Sequence, residues 1–279
     1  MLGAMLGDIA GSTYEFRGVK KVPEELWTKK DFVTDDTLLT CATAIAVMRY
    51  KMRKCKKAEL GDYYKKVISA IVRENQEVSW GSRFLSWVMS GMTYNGNSFG
   101  NGAAMKISPV AYVAKDEAEV KELSKLITEV THGSEKGLYY AEATAMTIFK
   151  GLHEGKEAAI ATMKKYCPEI EQIESYEKLQ EEYKYSELAE ETVPAAMYVA
   201  MISSSTEDAI KKAIGLGGDA DTLAAIAGSI AEAMFKYTSQ KKLLEAFRTV
   251  ARYMEDDSLE YKILVSFMNM IDSKLLIRS

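Results

Sequence analysis

The stretch Gly217-Gly218-Asp219-Ala220-Asp221-Thr222-Leu223-Ala224-Ala225-Ile226-Ala227-Gly228-Ser229-Ile230 decides the fold class. From Leu223 to Ile230 it carries apolar or small residues at almost every position, with Leu223, Ile226, Ala227 and Ile230 on one face at helical spacing. Such a segment predicts a helix buried on most sides. Two aspartates at the start of a buried helix need an explanation.

Outward from this segment the chain reads as helix almost throughout. Leu38, Ala42, Ile45 and Ala46 again share one face. The apolar start, Met1 to Ala10, meets Asp8 before any long hydrophobic run and lacks a basic leader region, so it reads as the first core helix. Segments 58–75, 116–130, 134–152, 176–190, 205–214 and 256–275 mix apolar positions with Lys and Glu as surface helices do. Alternating strand patterns are scarce. The prediction is an all-α chain forming a single domain over residues 1–279, with the charged stretch Glu169 to Glu191 as a peripheral insertion or a solvated helix face.

Composition narrows the classes of function. A formal net charge of -4 gives no general attraction to phosphate backbones, so general nucleic-acid binding is not expected. No apolar run reaches the ~20 residues of a membrane span, so no membrane association is expected. Cys41, Cys55 and Cys167 stand far apart and fit a reducing compartment, so a cytoplasmic protein is expected.

A second acidic segment, Thr34-Asp35-Asp36-Thr37, precedes the helix that begins at Leu38 and echoes Asp219-Ala220-Asp221-Thr222. Each acid could cap its helix or complement the helix dipole. One Asp would suffice for that. Paired carboxylates at a buried helix start repel each other and call for a cation, and oxygen ligands from Asp and Thr match Mg²⁺ or Mn²⁺. With only His132 and His153 in the chain, a histidine-rich zinc site is not expected. Capping and metal binding both remain open on these residues alone.

Four blocks, in order, resemble the ADP-ribosylglycohydrolase family over most of the chain: Gly7-Asp8-Ile9-Ala10-Gly11-Ser12-Thr13-Tyr14-Glu15, Thr34-Asp35-Asp36-Thr37, Ser98-Phe99-Gly100-Asn101-Gly102-Ala103-Ala104-Met105 and Gly217-Gly218-Asp219-Ala220-Asp221-Thr222. The resemblance implies a compact orthogonal helical bundle with a dinuclear metal cleft holding two divalent cations, Mg²⁺ or Mn²⁺. It assigns Thr34, Asp35 and Asp36 to one cation and Asp219, Asp221 and Thr222 to the other, with Asp221 able to bridge. Catalytic work would fall to Glu15, Asp36, Asp219 and Asp221, with Glu15 moving protons. By itself Glu15 could equally be an exposed acid near a helix end.

The glycine-rich run, Gly96 to Gly102, enters a predicted helix near Ala103, where free N–H groups could hold a diphosphate, although a flexible turn has the same composition. The resemblance makes Ser98, Phe99, Gly100, Asn101 and Gly102 a substrate loop, with Phe99 as adenine platform and Asn101 reaching ribose or phosphate. It adds His132 as a ligand contact; a lone histidine before a helix is otherwise structural. Trp80 would line the pocket by the same resemblance or serve only in packing. Lys106 stands where relatives often have arginine, and Phe99 where tyrosine is frequent. The implied substrate is an ADP-ribosylated protein or other ADP-ribosyl conjugate, with free ADP-ribose as product. A two-metal phosphoester or nucleotide hydrolase and a catalytically silent ADP-ribose-binding protein are the alternatives.

Overall fold

The computed structural model describes residues 1–237 and 239–272, so the last three positions of the predicted 256–275 helix lie outside the described residues. In chain order the helices are α1 (Leu2–Gly11), α2 (Asp35–Lys51), α3 (Leu60–Glu74), α4 (Ser82–Met89), α5 (Gly102–Met105), α6 (Ser108–Val113), α7 (Glu117–Thr128) and α8 (Glu135–Glu154). There follow α9 (Lys156–Tyr166), α10 (Tyr176–Glu182), α11 (Ala189–Ile202), α12 (Thr206–Gly215), α13 (Ala220–Phe235), α14 (Gln240–Ala251) and α15 (Leu259–Ile271). The fold is all-helical: the described residues form no strand, only two isolated bridges, Asn97 with His132 and Gly100 with Leu188. Most of the surface helices begin where a side chain takes over a free amide. Asp116, Ser134, Ser175, Ser205, Ser239 and Ser258 each accept from the backbone N–H three residues on.

Helix α13 is the axis of the bundle. It is buried from Ala220 to Met234 and packs against α1, α12, α11 and α8, as its apolar circumference predicts. Helix α1 is also buried at all ten positions, Asp8 included. The two helices touch backbone to backbone. Gly3, Gly7 and Gly11 recur every fourth residue and so share one face of α1. A Cβ on any of them would enter the backbone of Gly228, Ala224 or Asp221. This seam sets Asp8 beside the start of α13.

The charged stretch Glu169 to Glu191 differs from a continuous helix. Only Tyr176–Glu182 is helical in its middle, and residues 183–188 run extended. Tyr176 Oη donates to Lys212 O at 2.8 Å and Gln180 Nε2 donates to Gly215 O at 2.7 Å, which fastens α10 to the end of α12. Its charges face water as expected. Its tyrosines, which the charge pattern hid, tie it to the bundle.

Candidate active site

The site forms where the start of α2, the start of α13 and the buried acid of α1 converge. Thr34 caps α2, its hydroxyl accepting from Asp36 N at 3.4 Å. Asp8 completes that cap from outside the helix. Its Oδ1 accepts from Thr34 Oγ1 at 2.5 Å, and its Oδ2 accepts from the amides of Thr34 and Thr37, each at 3.1 Å. The capping work at α2 therefore belongs to Thr34 and Asp8, which leaves Asp35 and Asp36 free for another role.

The start of α13 repeats the separation. Asp219 occupies the cap position but accepts no cap hydrogen bond from the helix; its Oδ2 accepts from Asn101 Nδ2 at 2.7 Å. Gly217 before it turns through φ +70°, a left-handed conformation suited to glycine. Thr222 Oγ1 donates across the cleft to Asp36 Oδ2 at 3.1 Å, so the two acidic segments meet directly.

Two clusters result, and Asp221 belongs to both. Carboxylate oxygens of Asp8, Asp36 and Asp221 lie within 4.8 Å of one another, as do those of Glu15, Asp219 and Asp221. Asp35 is half-buried beside them and belongs to neither. Burial, and then the neighbouring Asp221 carboxylate, push Asp8 up to about 7 and Glu15 up to about 8. The same two causes raise Asp35 to about 7 and hold Asp36 and Asp219 well above the carboxylate range. Asp36 Oδ1 is buried without a hydrogen-bond partner. A buried, unpartnered oxygen among other carboxylates fits a hard divalent cation. The residues present can hold one or two such ions.

The structure places the remaining candidates around this centre with different roles. Gly96 to Gly102 runs alongside Thr131 to Gly133 on one side and Glu187 to Ala189 on the other. Phe99 is 52% exposed, as a platform requires. Asn101 is buried and its amide nitrogen faces Asp219 and Thr192 Oγ1, so it braces the acidic cluster. The loop amides of Ser98, Gly100, Asn101, Ala103, Ala104 and Met105 are already engaged within the protein, and α5 is a single turn. A diphosphate there would rest on the other amides of the loop. Trp80 lies apart, in a groove of about 920 Å³ between α3 and α4 that contains none of the clustered acids.

Sequence reasoning noted Asp8 and Lys106 without giving either a role in the site, and it did not foresee the pairing of Phe16 with Tyr185. Asp8 was signalled by its place inside a wholly apolar helix, and Lys106 by its place in the apolar run Ala103 to Val113. The Phe16 and Tyr185 rings stand 5.8 Å apart, and Tyr185 Oη donates to Glu187 Oε1 at 3.0 Å. Nothing local in the sequence signals that pairing, which joins residues 169 positions apart.

Two acid-bearing helix starts facing each other in an all-helical bundle define a candidate cation site, and comparison with known proteins places the chain among hydrolases of ADP-ribose conjugates. The chain belongs to the ADP-ribosylglycohydrolase family, whose model matches residues 1–259. It is 23% identical to the ADP-ribosylarginine hydrolase Tri1 of Pseudomonas putida (strain GB-1), covering 84% of this chain and 69% of that one. It is 22% identical to the ADP-ribosylhydrolase ARH3 of Gallus gallus and 23% identical to that of Homo sapiens, covering 84% of each chain in both cases. A solved structure described as an ADP-ribosylglycohydrolase-related protein complex shares the fold, with a TM-score of 0.61, 23% identity and 97% coverage of both chains. No helix among the described residues is long and apolar enough to cross a membrane.

Proposed function

We propose that this chain hydrolyses the N- or O-glycosidic bond between ADP-ribose and a modified acceptor, releasing ADP-ribose, and that it does so with two divalent cations, Mg²⁺ or Mn²⁺. The observation that carries this reading is the shared Asp221 between two carboxylate clusters, one of which contains the unpartnered Asp36 Oδ1. Asp8, Asp36 and Asp221 would hold one cation, with Thr34 beside them, and Asp219 and Asp221 the other, with Thr222 beside them. Asp35, whose carboxyl feels Asp221 and acts on Asp36, would support the first cation beside them. When bound, such ions polarise water and sugar hydroxyls.

The chain's own residues supply the rest. Glu15 is the half-buried member of the clusters and reaches solvent. Its carboxyl stands between the buried acids and solvent and is placed to exchange a proton with water or the departing acceptor. Asn101 holds Asp219 in orientation through its amide. Phe99 offers an open ring face for adenine, and Ser98, Gly100 and Gly102 give the loop its close approach. His132, beside Gly100 and Gly102 of the same loop, would contact the bound nucleotide from there.

The test is incubation with defined ADP-ribosyl conjugates of arginine and serine, with and without a strong chelator. Released ADP-ribose that disappears with chelator and returns with Mg²⁺ or Mn²⁺ is the expected result. AMP with a ribose phosphate left on the acceptor would make the chain a nucleotide hydrolase that cuts the diphosphate, and full turnover in a metal-free preparation would remove the cations from the mechanism.

A further inference from the structure

Lys106 follows the single turn of α5 and is 0% exposed, a position an ammonium group occupies only with partners. Its Nζ donates to Thr131 Oγ1 at 3.0 Å and stands 3.4 Å from His132 Nδ1. Thr131 Oγ1 is in turn 2.7 Å from His132 Nδ1. The Thr131 hydroxyl can donate to Nδ1 or accept from it, and the Lys106 ammonium weighs between the two arrangements. An ammonium group only donates. The threonine hydroxyl, accepting from Lys106, has a single proton to give, and His132 Nδ1 is within its reach. A proton on Nδ1 would face the Lys106 ammonium, another donor, whereas a lone pair there accepts from both Lys106 and Thr131, which favours the neutral ring with its proton on Nε2. Burial, and then the nearby Lys106 cation, hold the ring neutral by pushing its pKa well below the usual histidine value.

The Nε2 edge faces the glycine loop. A Cβ at Gly102 would come within 2.9 Å of Nε2, and one at Gly100 within 3.8 Å. His132 itself is only partly buried, so a bound molecule can reach it. We propose that Lys106 is a positioning residue that, with Thr131, fixes His132 as the Nε2–H tautomer, so that the ring presents a neutral N–H donor beside Gly100 and Gly102 to an acceptor oxygen of bound ADP-ribose. The ligand named here rests on the proposed function; the tautomer does not. The other tautomer would turn a lone pair toward that oxygen and repel it.

The chain has only two histidines, so a His153→Gln background leaves one ring to observe. Long-range proton–nitrogen spectra of that ¹⁵N-labelled protein at pH 6.5, below the value of about 7 to which burial lowers Lys106, should show protonated Nε2 and unprotonated Nδ1. Lys106→Met keeps the length of the side chain and removes the charge. It should populate the Nδ1–H tautomer and weaken ADP-ribose binding about tenfold by calorimetry, whereas Lys106→Arg should retain both properties. Should Lys106→Met fail to fold, the spectrum of the parent protein still decides. A proton on Nδ1 in that spectrum, or a Lys106→Met protein with unchanged tautomer and affinity, overturns the role of Lys106. The expected tautomer without any affinity for ADP-ribose overturns the proposed function, and with it the ligand assigned to His132.

Discussion

At the residue scale the carboxylates of the cleft oppose folding as long as no cation joins them. Asp8 has a folded-state pKa of about 7 against an ordinary value near 3.8, and Asp35 and Glu15 are shifted the same way. Such groups bind more protons folded than unfolded. The stability they influence is therefore greatest at low pH and declines as pH rises from about 4 toward 7 or 8, by up to roughly 1.4 kcal/mol per pH unit for each fully buried group. Melting of chelator-treated protein should fall steadily between pH 5.5 and 8, and Asp36→Asn should flatten that slope while abolishing turnover. A flat profile in the parent protein would mean that the acids are solvated. Phe99 behaves differently because it is half exposed. Phe99→Ala should leave the melting temperature unchanged and weaken ADP-ribose binding by roughly 1 to 3 kcal/mol, the scale of aromatic stacking on a base. Equal affinity of variant and parent, measured by calorimetry, would place Phe99 outside the nucleotide site.

The helices show what the sequence made legible and what it withheld. The first core helix, the buried helix after Asp221 and the helix after Thr34 could all be read from periodicity, since apolar spacing reports burial directly. The partnership of Thr34 with Asp8 could not, because it joins residues 26 positions apart through a fold not yet known. Nor did the glycines of α1 disclose their purpose. Gly7 lies mid-helix, where its lack of a side chain lets α13 approach. The extended run 183–188 was hidden for a related reason: its neighbours' charges resemble those of a solvated helix, while its course is set by contact with the glycine loop. Gly7→Ala should accordingly cost more than the 1 to 3 kcal/mol typical of overpacking, since the obstacle is rigid backbone. Gly155→Ala, where a Cβ meets open space but φ is +96°, should cost less. Chemical denaturation of both variants tests the order. Equal losses would show that the α1 and α13 backbones can separate at little cost.

For the whole molecule, cations that bind the folded cleft and not the unfolded chain must raise its melting temperature. At a concentration 100 times the dissociation constant the gain is about 2.7 kcal/mol, or several degrees for a protein of this size. Mg²⁺ and Mn²⁺ should both produce it, and Asp221→Ala, which removes the residue common to both clusters, should abolish it. An upward shift of the same size in Asp221→Ala would locate the cations elsewhere. The glycine seam has a further consequence, on the timescale of hours. Helices that meet through side chains can part a little at a time as rotamers exchange; two backbones in direct contact have no such intermediate. The amides of Asp8 and Ala225 should therefore take up deuterium only when the entire bundle opens, among the slowest in the chain, while those of the surface helix α10 exchange through local fraying. The cleft would then be the last region to lose its shape under denaturing stress, and its chemistry would persist until the fold itself is gone.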